Sequence, residues 1–225
     1  MATTGAMIDA AISIAEEMDP LDFDSTDHEV KLLHYLQEIF DEVWNYRTWP
    51  FSMRLATVTI PAASSSADLP ADFQEVSHLG GVYLSGTGAV LSWVPPQVLL
   101  EQREAGSGST DTPDVFSIWD QSLTTGRQKI QVPTSGSGYS LRLYYKAKSP
   151  TLVNATDGTN NLFFIPDSYH QSVLFSGLVW RLRKDKGDER GWEEMYKEGL
   201  ARMCRIERPG KSEVQRMPRA YIGGW

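Results

Sequence analysis

Hydrophobic positions along this chain change period twice, from helical to alternating and back to helical, and the three stretches so defined set its organisation. Near the N-terminus Ile8, Ala11, Ile12 and Ala15 fall at i, i+3, i+4 and i+7, with Glu16 and Glu17 on the opposite side. That is the stripe of a short amphipathic helix. The stretch DPLDFDS breaks it. A second helix opens with Thr26 three residues ahead of Glu29, the capping-box spacing that can satisfy two orphaned backbone donors. Along it Val30, Leu33, Gln37, Phe40 and Trp44 make one seam, and Leu32, Leu36, Ile39 and Val43 a second beside it. So wide an apolar face needs neighbours on two sides.

At Trp49-Pro50-Phe51 the period shortens, because proline has no amide hydrogen to donate and disfavours helix in the residue before it. Alternation then predicts strands at Met53 to Ile60, Val82 to Leu84, Val90 to Val94, Val115 to Trp119, Lys129 to Val132 and Tyr139 to Lys148. In the last of these Leu141, Leu143 and Tyr145 face one way and Arg142, Tyr144 and Lys146 the other. PTSGSG between the last two predicts a hairpin. VPPQVLLEQRE reads as one or two helical turns, and PAASSSADLP and EAGSGSTDTP as exposed loops.

The chain then returns to helix. Tyr169, Val173, Gly177 and Trp180 sit at helical intervals, and Trp192, Met195, Tyr196, Gly199, Leu200 and Met203 repeat them more strictly. Beyond residue 205 two prolines and three glycines interrupt any period. The expected fold class is therefore α+β. A helical bundle is built from both chain ends, residues 1–48 and 151–205, around an inserted antiparallel β-rich domain at 49–150, with an extended C-terminal arm at 206–225.

Charge adds one feature to this picture. The net charge of −8 is spread as −9 over residues 1–48, −1 over 49–150 and +2 over 151–225. The two ends are complementary, which suits ends that pack together and argues against a broad basic face for nucleic acid. One cysteine, Cys204, excludes an internal disulfide and a Cys-rich zinc site. No run approaches the roughly 18 apolar residues of a membrane span, and the N-terminal stretch has no basic region of a signal peptide, so neither is expected.

Candidate chemistry is thin. Asp167 and His170 in IPDSYHQ could pair as acid and base, but Asp167 follows Pro166 and precedes an amphipathic run, where a carboxylate caps a helix by accepting from the amides at Tyr169 or His170. The expected structural helix caps are thus Asp167 and Thr26. His28, His34, His78 and His170 lack metal-ligand spacing, and His34 reads as an interior histidine satisfied by its helix. Gly210-Lys211-Ser212 lacks the first glycine of a phosphate-binding loop, and GTGAVL and GSGYSL lack the third glycine of a dinucleotide site. No catalytic residue, cofactor or metal is expected, and the chain does not read as an enzyme. Trp44, Trp180 and Trp192 read as core, whereas Trp225 ends the arm as either a partner anchor or an unstructured end.

The order of YRTWPF, LPADFQEV, TPDVFSIWD, LRLYYKAKSPTL, LFFIPDSYHQSVLFSGLVWRLR and GWEEMYKEGLARM resembles the head-to-tail adaptor proteins of tailed bacteriophages, also called connector or head completion proteins. The likeness spans about residues 27–205. It implies a structural, non-enzymatic virion protein at the portal vertex, assembled in the host cytoplasm. Twelve copies would form a ring on the portal protein, contact a downstream tail or nozzle protein, and pass double-stranded DNA without reading its sequence. It also implies a C-terminal arm on the portal, to which Arg208, Lys211, Arg216, Arg219, Tyr221 and Trp225 would contribute charge and aromatic anchors. Two readings stay open beside it: a tail-tube or neck component that meets the adaptor, and a module binding carbohydrate or peptide in a groove around Trp93, Trp119 and Tyr144.

Overall fold

The second seam predicted above is fully buried. In a computed structural model, which describes residues 4–18, 25–77, 81–104, 112–133, 138–153, 164–184 and 191–206, Leu32, Leu36, Ile39 and Val43 have at most 1% of their surface exposed, with Phe40 and Trp44 beside them. They lie on α2 (Ser25–Tyr46), which packs against α1 (Thr4–Met18) through Met7, Ile8 and Ala11 and against α4 (Ser176–Lys184) through Leu178, Val179 and Leu182. The helix α5 (Trp192–Ile206) buries Tyr196, Gly199, Leu200 and Met203 against α4 and the π-helical turn ahead of it, His170–Phe175. These elements make one compact unit, Met1–Phe51 with the chain from Ser149 onward; Ser52–Lys148 make the second.

Gln37 explains itself here. A polar residue in an apolar seam, it accepts from the Leu152 amide at 2.6 Å and donates to the Pro150 carbonyl at 3.3 Å and to Asp41 at 2.8 Å. The returning chain is thereby tied to α2 by groups that would otherwise be left unpaired on burial. Aromatic packing closes the same region: Trp49 stacks on Phe51 and donates its indole N–H to the Val43 carbonyl at 2.6 Å, and Phe51 tilts against Trp44.

The first seam is only partly buried. Val30 is 70% exposed, and His34, expected inside, is exposed and pairs with Glu38 at 3.3 Å. Met195, expected on the packed stripe of α5, is exposed, and Trp180 and Trp192 are half-buried. The region opening at Asp167 is not one α-helix but a 3-10 turn (Asp167–Tyr169), the π-helical turn and then α4.

In the second unit Tyr139–Ala147 forms the long strand β8, flanked on one side by β1 (Met53–Ile60) and on the other by β4 (Val82–Leu84) and β3 (Phe73–Val76). Its buried face carries Leu141, Leu143 and Tyr145, opposite Val58, Ala56 and Arg54 of β1 in register. Beyond β4 the order continues through β5 (Val90–Trp93), β6 (Val115–Gln121) and β7 (Gln128–Gln131) to β2 (Ser66–Asp68). Only five residues separate β2 from β1 in the chain, so the path nearly returns to its start.

Three sequence expectations change. The predicted hairpin between residues 129–132 and β8 does not form: β7 pairs with β6 and β2. The sheet is not wholly antiparallel, since β5 and β6 pair in parallel across the helix α3 (Pro96–Glu104). A parallel pair needs such a crossover, and α3 is where VPPQVLLEQRE was read. The stretch PAASSSADLP contains strand β2 rather than loop alone. Arg103 holds α3 in place, donating to the carbonyls of Val132 at 2.6 Å and Ser65 at 3.2 Å and to the Gln131 side chain at 3.1 Å.

Candidate functional site

Strand register gathers an aromatic and aliphatic patch on the outer face of the β unit. Leu55 lies opposite Tyr144, Tyr83 opposite Arg142, and Val90 opposite Tyr83, so four neighbouring strands β1, β8, β4 and β5 contribute to one surface. The rings of Tyr83 and Tyr144 meet edge to face at 5.8 Å. Leu55 is 55% and Val90 63% exposed, and Arg142 stands among them, also exposed. Tyrosine, arginine and exposed aliphatics in one patch are the composition of a protein interface core. Lys146, expected on this outward face with Arg142 and Tyr144, is instead buried between Met53 and Glu75 in the register.

The aromatic groove expected around Trp93, Trp119 and Tyr144 is not a single surface. Trp93 shares its side of the sheet with its register partner Phe116, and Trp119 lies three residues further along β6, on the opposite side. Trp119 faces α3, with the Arg103 guanidinium 5.8 Å above its ring.

In the helical unit the charged ends meet as complementary groups. Arg181 of α4 reaches Glu42 of α2 at 3.4 Å, and Arg47 donates to the carbonyl of Cys204 at 3.0 Å. Trp180 stacks on Tyr196 at 5.6 Å with Arg181 and Lys184 over its ring, and Arg183 lies over Trp192. Burial first, then the neighbouring Glu42 carboxylate, pushes the Tyr196 hydroxyl well above its ordinary range. Part of the charge asymmetry is therefore consumed within the chain.

Asp167 does not make the expected helix cap. Pro166 occupies the cap position, and the amides of Tyr169 and His170 donate to the carbonyls of Pro166 and Asp167. The Asp167 carboxylate lies 3.7 Å from Nδ1 of the buried His170, whose Nε2 is 2.7 Å from the Ile165 carbonyl oxygen. Ala6, Met7 and Phe175 complete a shallow cavity of about 310 Å³ there. Thr26 falls inside α2, which begins at Ser25, so it stands in the first turn and not at the cap ahead of it; its side chain lies outside the described residues. The arm residues Arg208, Lys211, Arg216, Arg219, Tyr221 and Trp225 also lie outside them.

Among the described residues no group of three or more His, Cys, Asp or Glu side chains could hold a metal ion, and no helix is long and apolar enough to cross a membrane. A family model described as SU10 adaptor protein matches residues 2–220, nearly the whole chain. No curated protein matches it.

Proposed function

We propose that this chain, which belongs to the SU10 adaptor protein family, is a structural protein of a phage virion that joins the portal at the capsid vertex to the tail. The family match over residues 2–220 is the observation that carries this reading. In it the helices of both chain ends form a bundle, and twelve copies close into a ring around the DNA channel. A closed ring needs two different, mutually complementary faces on each copy. The outward patch of Leu55, Tyr83, Val90, Tyr144 and Arg142 supports an exposed protein-binding face, and the weakly acidic chain supports DNA passage without tight adhesion.

The C-terminal arm is the portal anchor in this proposal. Arg208, Lys211, Arg216 and Arg219 steer it by charge, and Tyr221 and Trp225 dock as aromatic anchors. The test is truncation after Arg208. Loss of portal attachment with an unchanged circular dichroism spectrum supports the arm as anchor, and undiminished attachment removes that role from it.

A further inference from the structure

The β unit carries a second concave feature, a cavity of about 470 Å³. Phe73 lies in its lining, buried and tilted against Tyr145, and around it stand Gln74, Gln121, Gln128, Arg127 and Lys148. No carboxylate lines it, and among the described residues neither cation forms an ion pair. Three glutamine amides, each with a donor and an acceptor, match the hydrogen-bonding of peptide groups.

Two further observations mark this place as built. The described strand pairs contain two register shifts, one between Phe73 and Glu75 and one between Trp119 and Gln121. Both fall beside the cavity, and Gln74, the extra residue at the first, and Gln121, which follows the second, line it. At the second shift Asp120 takes a φ of +67°, a left-handed conformation uncommon outside glycine. Bulges of this kind re-aim side chains and recur next to binding sites. In addition, β3 pairs with β8 along one edge, and no described strand covers the other.

We propose that this cavity receives an acidic, extended segment of a partner protein, laid beside β3 with its carboxylates on Arg127 and Lys148. Addition of a strand at an open edge supplies main-chain hydrogen bonds, and the flanking pocket supplies selectivity. A cavity of this size holds a few residues of one strand. The site goes beyond the adaptor reading and does not depend on portal attachment.

The test titrates the full-length chain with a fluorescent eight-residue peptide alternating aspartate and leucine, and with its asparagine counterpart, following anisotropy. The acidic peptide should bind at least tenfold more tightly than the neutral one, with affinity falling as salt rises. The double variant Arg127→Glu/Lys148→Glu should lose at least tenfold while keeping its circular dichroism and melting temperature, because both side chains are exposed. The milder Arg127→Gln/Lys148→Gln variant should lose less. Equal affinity for both peptides, unchanged affinity in the charge-reversed variant, or no binding at millimolar peptide would each overturn the proposal.

Discussion

Gly199 of α5 lies against the carbonyl of Ser172 in the π-helical turn so closely that a β-carbon there would overlap the Ser172 oxygen and stand 2.8 Å from its carbonyl carbon. Replacing it with alanine pits two effects against each other. Alanine improves helix propensity by about 1 kcal/mol. Relieving the overlap, however, means moving backbone from backbone, and a gap of roughly 1 Å forfeits a quarter to a half of the dispersion energy across it. Tyr196, Leu200 and Met203 share that face of α5, each worth about 1.5–3 kcal/mol on burial, so the forfeited part comes to about 1–4.5 kcal/mol, with a middle value of about 3 kcal/mol. The net expectation for Gly199→Ala is a loss of about 2 kcal/mol, or a melting temperature lower by roughly 4–8 °C for a chain of this size. Gly177→Ala is the internal comparison. Its β-carbon would meet Ile39 and Tyr196 side-chain atoms at 2.9–3.2 Å, which can yield where a carbonyl cannot, so it should cost less. Urea unfolding followed by helical circular dichroism measures both. A Gly199→Ala protein as stable as the parent, or a costlier Gly177→Ala, would refute the reasoning.

Other expectations follow from single contacts. Gln37→Leu removes the acceptor of the Leu152 amide and should cost about 1–3 kcal/mol in the same urea assay, and Gln37→Glu, which keeps that acceptor but sets a carboxylate against Asp41 and the Pro150 carbonyl, should not restore the parent stability. Arg103→Met leaves the Val132 and Ser65 carbonyls and the Gln131 side chain without this donor, and should expose α3 to limited proteolysis while leaving α2 protected. Burial, followed by the hydrogen bond to Asp72 at 2.8 Å, raises the Tyr145 hydroxyl above its ordinary range, and Tyr196 is raised likewise. A tyrosine whose folded pKa is raised contributes stability that is fully present below the unfolded pKa of about 10 and is lost as pH climbs toward the folded value. In an ultraviolet titration the exposed tyrosines should therefore ionise near pH 10 with Tyr145 and Tyr196 lagging, and stability should fall above that pH. Ionisation of every tyrosine in one step before unfolding would contradict this.

How far the fold was legible depended on whether period alone decided the outcome. The seam Leu32, Leu36, Ile39 and Val43 and the alternation of β8 were readable because one buried face imposes its spacing directly. Val30 and His34 were misplaced because a helix seam does not reveal where its neighbours end. β2 and β3 were missed because strands of three and four residues, one of Ser-Ala-Asp and the other with Phe73 alone buried, are too short to show an alternation and form only against β7 and β8. The expected hairpin with β8 gives way because β7 pairs instead with β6, the strand just before it in the chain, and with β2. The interface patch needs the register of four strands, and the cavity joins β3, the β6–β7 connection and the end of β8. Neither has a local motif. Gln37, read simply as part of an apolar seam, shows its use only with Pro150 and Leu152 beside it.

The claim that the chain is a portal adaptor is tested most directly by sedimenting the purified full-length protein with portal rings and imaging the pelleted complexes by electron microscopy. The account predicts co-sedimentation and a collar of added density on one end of each portal ring. Portal rings that sediment bare, with the adaptor left in the supernatant, would contradict it.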